Sequence, residues 1–321
     1  MAQRAGSADL PLHGGQVQKW LADRMTHLGA VMSEAIVHHY GRVELLCRLA
    51  HPFWFQSFAA VTGMDWHSSG ITTSVIGALK RGLAPLSNEL GIHVCGGRGK
   101  HSRKTPQELV AIGERVGFDG SALANASRLV AKVDSAAVQD GFDLYLHEFI
   151  VTHGGQWVVV QQGMNGDRKQ ARRYHWLSEG MKGFVEEPHS AIDGVGQGEI
   201  INLTDRRARA SRRCQLGVLH SVGPDGIARE LSAEVRPSDV LTPRLYANLA
   251  AAADRGPADF AELLLVPGIG ARTARWRWWP RSCMVRRTAS PTGRVFRLRT
   301  AARTGIRFLC PFGPTIRRSM C

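Results

Sequence analysis

Apolar positions recur at helical spacing through the first ninety residues. Trp20, Leu21, Met25, Leu28 and Met32 form one stripe, and Val43, Leu46 and Leu49 form another after a break at Gly41. Pro52 suits the first turn of a further helix carrying Phe53, Trp54, Phe55 and Phe58. Ser68-Ser69-Gly70 then turns into a helix through Lys80. The pattern changes near residue 92, where a short strand is predicted over 92–95. Thr105, Pro106 and Glu108 read as the cap, first turn and capping box of the next helix. Another helix runs through Lys132 and Asp134. Residues 142–152 and 156–162 predict a hairpin around His153-Gly154-Gly155. Tyr145, His147 and Phe149 share one face of its first strand, and Leu144, Leu146 and Ile150 largely share the other. Trp157 to Val160 is apolar on both sides, which predicts a central strand. Helices follow over 205–220, on the surface, and over 257–266, where Phe260, Leu263 and Leu264 make an apolar face. The class is α+β: a helical N-terminal part, a small central sheet and a helical C-terminal half. The boundaries are a body at 1–203, a helical region at 204–273 and a tail at 274–321.

Charge changes this picture only at the end of the chain. The formal net charge is +14, yet twelve arginines and no lysine, aspartate or glutamate fall between Thr273 and Cys321. The rest is close to neutral. Arginine-rich, lysine-free text with scattered Trp and Cys is what a GC-rich gene gives when read out of frame. One base out of register, Arg275 to Pro280 permits the helix-forming stretch ALALVA. A frameshift at about Thr273 and a disordered tail are therefore expected, with the apolar face of 257–266 left partly exposed. No apolar run approaches a membrane span, and the start of the sequence has no signal-peptide h-region, so a cytoplasmic protein is expected. The cysteines show no C-x-x-C spacing that would suggest a zinc site.

Candidate chemistry lies in polar stretches between these elements. In "GMDWHSSG", Asp65 and His67 are either an acid/base or ligand pair at a loop mouth or a structural contact beside a Ser cap. In "CGGRGKHSRKTP", glycines, a helix start and the cations Arg98, Lys100, His101, Arg103 and Lys104 suit an anion, though the spacing is not that of a P-loop. Around the hairpin, Lys132, Asp134, Asp140, His147, Gln161, Gln162 and His175 form a candidate polar centre. Carboxylates there would suit a divalent metal beside a scissile phosphate, but Gln161-Gln162-Gly163 stands where such nuclease cores want an acidic-x-Lys pair. The glutamines would alternatively read base edges. Arg172 and Arg173, interleaved with Tyr174 and Trp176, suit phosphate contact with base stacking or else a solvated face. Gly268 and Gly270 flank Ile269 in a turn where backbone N–H groups can approach a phosphate. If these groups act together, the loops at 65–70 and 96–104 and the strand end at 161–162 border one pocket.

The stretches "PFWFQ", "DWHSSGITT", "CGGRGKHSRKTP", "AKVDSAAVQDGF", "WVVVQQGMN", "ARRYHW" and "EEPH" resemble the bacterial and archaeal family called domain of unknown function 763. The resemblance covers residues 4 to about 273. It implies a mixed helical and sheet body followed by a helix-hairpin-helix, and it carries no established reaction or catalytic residue. Together the residues and the resemblance point to a nucleic-acid-binding protein, with DNA as the expected partner, acting in DNA repair or processing. A hydrolase or glycosylase-like enzyme on DNA is the sharper form. The alternative is an enzyme acting on a small phosphorylated molecule held by the 96–104 loop.

Overall fold

The computed structural model describes residues 10–197, 200–234 and 243–274. The frameshift and disorder expected of the tail fall outside them. The first five helices pack as one layer: α1 (Lys19–Tyr40), α2 (Arg42–Ala50), α3 (Pro52–Thr62), α4 (Ser69–Leu83) and the single turn α5 (Ser87–Leu90). Gly41 separates α1 from α2 with φ +90°, and Pro52 opens α3 beneath the His51 ring, which accepts from the Trp54 N–H. The buried face of α1 is Met25, Gly29, Ser33 and Ile36, rotated from the predicted stripe. Trp20 lies outside it and is 62% exposed.

The sheet is antiparallel throughout. Its order is β1 (Leu10–Pro11), β6 (Gln170–Leu177), β5 (Trp157–Asn165), β4 (Asp143–Thr152) and β2 (Ile92–Arg98), with β7 (Ala191–Asp193) also paired to β6. The predicted hairpin is β4–β5, and β5 is central as its two-sided apolar pattern requires. A separate pair joins β3 (Val138–Gln139) to β8 (Ile201–Asn202). Ile150, Val158, Val160 and Leu177 pack on α1–α4. The alternate residues Phe149, Val151, Val159 and Trp176 pack on the opposite layer.

That second layer holds α6 (Thr105–Val116), α7 (Gly120–Lys132), a π-turn at Val133–Ala137, α8 (Arg209–Glu234), α9 (Pro243–Arg255), α10 (Phe260–Leu265) and α11 (Ala271–Ala274). One hydrophobic cluster runs from the sheet through α7 to Leu219, Leu249, Phe260 and Ile269. The predicted helix at 257–266 is shorter than its pattern suggested, because the Asp259 carboxylate caps the Glu262 N–H at 2.8 Å and so sets the start. Its apolar face is not left exposed. Phe260, Leu263 and Leu264 are all buried against the sheet-side helices. Among the described residues, no helix is long and apolar enough to cross a membrane.

Candidate functional site

Strand β2 ends in a kink that only glycine supports. Gly96 and Gly97 have φ of +99° and +138°, and a Cβ on Gly96 would meet the His147 carbonyl and, at 2.7 Å, Thr105 Oγ1. Lys80 Nζ donates to the Gly96 carbonyl at 2.6 Å, and Glu108 Oε2 accepts from the Gly96 N–H at 2.6 Å. Glu108 thus does not complete a capping box with Thr105, whose hydroxyl donates to the Ser102 carbonyl. We expect Gly96→Ala to lower stability by about 1–3 kcal/mol from backbone conformation alone. An unchanged denaturation midpoint would show that the kink relaxes at no cost.

From this kink a 3₁₀ turn, Gly99–Lys104, leaves the sheet. Arg98, Lys100, His101, Arg103 and Lys104 are all exposed there, as an anion-binding loop needs. Beside it opens a cleft of about 990 Å³. The segment 12–18, the start of α1, the loop before α4 and the ends of β2 and β5 enclose it. Its lining includes His13, Trp20, Trp66, Ser69, Arg98 and Tyr145. Trp66 is 65% exposed, and its ring centre lies 5.0 Å from that of His13. The Tyr145 hydroxyl accepts from Gln162 Nε2, which also donates to the Ser69 carbonyl at 3.0 Å.

The remaining candidates do not converge on one pocket. Gln161 and Gln162 are neighbours on β5, so the pleat sends them to opposite faces. Gln162 faces α4, accepts from the Thr72 hydroxyl and supports the cleft wall from behind. Gln161 faces α7 and donates to Asp134 Oδ2 at 2.5 Å. That orientation turns its carbonyl to His147 Nδ1 at 2.7 Å, so Nδ1 carries the hydrogen. The other ring nitrogen then accepts from the Ser127 hydroxyl at 2.8 Å. Burial holds the His147 pKa below the ordinary range, in keeping with this neutral tautomer. Asp134 also accepts from Trp176 Nε1 at 2.9 Å and meets His189 Nε2 at 2.5 Å. This is a closed network with no exposed member.

Asp140 lies in the same layer, bonded by Arg172 at 2.5 Å and by the Tyr174 hydroxyl at 2.7 Å. Burial raises its pKa, offset in part by the Arg172 charge. Arg173 points to the other face, where it pairs with Asp193 at 2.6 Å and stacks over the Phe55 ring. Arg172 and Arg173 are therefore core ion-pair partners rather than nucleic-acid contacts. His175 is buried too: its Nδ1 donates to the Leu49 carbonyl at 3.1 Å, and burial, with the neighbouring Arg173 charge second, depresses its pKa strongly. Lys132 is apart from the centre expected for it, since its Nζ donates to the Ile269 carbonyl at 2.5 Å and ties α7 to the turn after α10. Asp65 is exposed, His67 is half-buried, and no hydrogen bond joins them.

In that same turn Gly268 has φ +87°, with the Asn248 side chain packed against it and donating to its carbonyl at 3.0 Å. The Gly270 N–H is already spent on Thr273 Oγ1 at 2.8 Å, and that of Ile269 on the Val266 carbonyl. Two of the N–H groups expected to grip phosphate are thus satisfied within the turn. Among the described residues, no three His, Cys, Asp or Glu side chains meet in metal-ligand geometry.

Some chemistry escaped sequence reasoning. Glu148 is fully buried on β4, and neither carboxyl oxygen has a hydrogen-bond partner. Desolvation raises its pKa well above the ordinary carboxylate range. Lys80 opposes that shift and Glu108 reinforces it. The signal was available: an acid between Leu146 and Ile150 on an apolar strand face. Trp66 and Trp20 carried no such signal, because their roles depend on where the 12–18 segment folds back.

The sheet and its two helical layers define an α+β protein with an open cleft lined in part by aromatic and cationic side chains. The chain belongs to the family described as protein of unknown function DUF763, whose profile matches residues 6–276. The match ends three residues past Thr273, where the composition changes. No curated protein and no solved structure matches the chain.

Proposed function

We propose that the protein binds nucleic acid, with DNA as the polymer, in repair or processing. The observation that carries this reading is the turn at 98–104. Five cationic or titratable basic side chains stand exposed on it, and one of them, Arg98, also lines the cleft that carries two exposed tryptophans. Such cations neutralise a phosphate backbone and release its counterions, and a sheet-anchored turn holds them at fixed spacing. The buried network around Asp134 supports no step on a substrate, so the reading is of binding, not of a reaction.

The test is retention of DNA across a salt series by the full chain and by a Lys100→Ala, Arg103→Ala, Lys104→Ala variant. The arginine-rich tail contributes equally to both, so only the difference counts. Loss of three phosphate contacts should flatten the log–log salt slope by roughly 2–3. An identical slope in the two proteins would remove the turn from the interface. Salt-insensitive binding of a single small phosphate ester would favour the small-molecule alternative.

A further inference from the structure

Resting on the nucleic-acid reading, we infer that the cleft receives an unpaired base and that the protein prefers single-stranded or locally opened nucleic acid to an intact duplex. Two tryptophans on one cleft, 65% and 62% exposed, are an unusual use of the most costly aromatic surface to leave in water. Trp66 stands in the short loop before α4 and Trp20 in the first turn of α1. The Trp66 ring is tilted 40° to the His13 ring, so the two make a ledge rather than a closed sandwich. Beneath lie Leu12, Leu21, Met25 and Met64, an apolar floor whose thioethers adapt to a planar guest.

The rim is charged. Arg98 reaches the cleft from the basic turn, and Arg81 borders it from α4 while bonding Thr26 and the Ala22 carbonyl. Phosphates can therefore follow the cations along the rim while a base leaves the strand for the floor. A paired base cannot do this. In a duplex its faces are covered by neighbours, and only its edges reach the grooves. Stacking on an aromatic ledge requires a face, which only an unstacked nucleotide presents. The polar lining includes the Tyr145 hydroxyl and the Ser69 hydroxyl, which accepts from the His13 N–H at 3.1 Å, and an edge of the base would meet this wall. Gln162 fixes that wall from the interior through its bonds to Tyr145 and the Ser69 carbonyl. The sheet-derived glutamine thus acts as a positioning residue behind the cleft, not in contact with the guest.

The experiment separates bases from phosphates. The full chain is titrated at fixed salt with oligothymidylate, with an abasic deoxyribose-phosphate strand of equal length, and with a duplex of equal length. The expected result is binding of oligothymidylate roughly tenfold tighter than of the abasic strand, the scale of one stacked base. Trp66→Ala should abolish that preference and leave the salt slope unchanged. Trp66 is mostly exposed, so the variant should fold; as a second measure, quenching of tryptophan emission by oligothymidylate should fall in Trp66→Phe. Equal affinity for thymidylate and abasic strands in the parent would overturn the inference while leaving the nucleic-acid reading intact. A flattened salt slope in the basic-turn variant, alongside equal thymidylate and abasic affinities in the parent, is therefore a distinct outcome from failure of both. A duplex bound more tightly than the single strand would also overturn it.

Discussion

Glu148→Gln should make the protein more stable at neutral pH, by an amount that grows with pH. The carboxyl is fully buried without a hydrogen-bond partner, and its folded pKa is raised well above the ordinary range. Below about pH 4 the group is protonated in both folded and unfolded chains, and the two proteins should be alike. As pH rises past the unfolded carboxyl pKa, the unfolded chain ionises while the folded one holds its proton. The parent then loses stability by about 1.4 kcal/mol per pH unit until the buried carboxyl itself ionises. Glutamine has nearly the same shape and cannot ionise, so the variant escapes this loss. Other titrating groups, Asp140 among them, cancel in the comparison. Denaturant midpoints of both proteins at pH 4, 6 and 8 give the answer. A difference independent of pH would mean that Glu148 is ionised in the fold, paired with Lys80.

Asp134→Ala should have the opposite effect and the larger single cost. Gln161, Trp176 and His189 all direct nitrogen atoms at this one buried carboxyl. Removing it orphans three polar groups in the core, each costing about 1–3 kcal/mol. The disturbance passes through Gln161 to His147 and Ser127, whose bonds depend on the glutamine's orientation. We expect destabilisation of at least about 3 kcal/mol, with nucleic-acid retention unaltered at temperatures where the variant is folded. A change below 1 kcal/mol would show that the network is held by packing alone. Lost binding in a folded variant would return Asp134 to the functional site.

Local signals in the sequence specify part of this architecture, and contacts distant in the chain set the rest. The β4–β5 hairpin was legible because alternation and a Gly-Gly turn are local signals. So was the basic turn, whose cations and glycines lie within ten residues. The single polar centre was not a sound expectation, and β-strand geometry explains why. Adjacent residues such as Gln161 and Gln162 cannot face one site, and neither can Arg172 and Arg173. Their burial was also invisible, since a cation between aromatics looks alike on a solvated face and in a paired core. Lys132 illustrates a third limit: its partner, the Ile269 carbonyl, is 137 residues away. The cleft was beyond reach for the same reason. Its wall at 12–18 has no apolar period and takes its place by long-range bonds: the pairing of Leu10 and Pro11 with β6, the Leu12 N–H to the Lys169 carbonyl and the His13 N–H to the Ser69 hydroxyl.

That pairing has a consequence for the order in which the molecule assembles. β4 and β5 can zip together early, because a short turn joins them and little chain entropy is lost in closing it. The two residues of β1 must wait until β6 exists, and then close a loop spanning nearly the whole body. With so few bonds to repay that closure, the N-terminal strand should dock last on folding and peel first on opening. The wall of the cleft is then the least protected part of the sheet, and amide exchange at Leu10 and Leu12 should outpace that of β5 by orders of magnitude. A guest in the cleft bridges this late-arriving segment to α4 and would slow its release, so occupancy can be followed as protection at the chain's N-terminal edge.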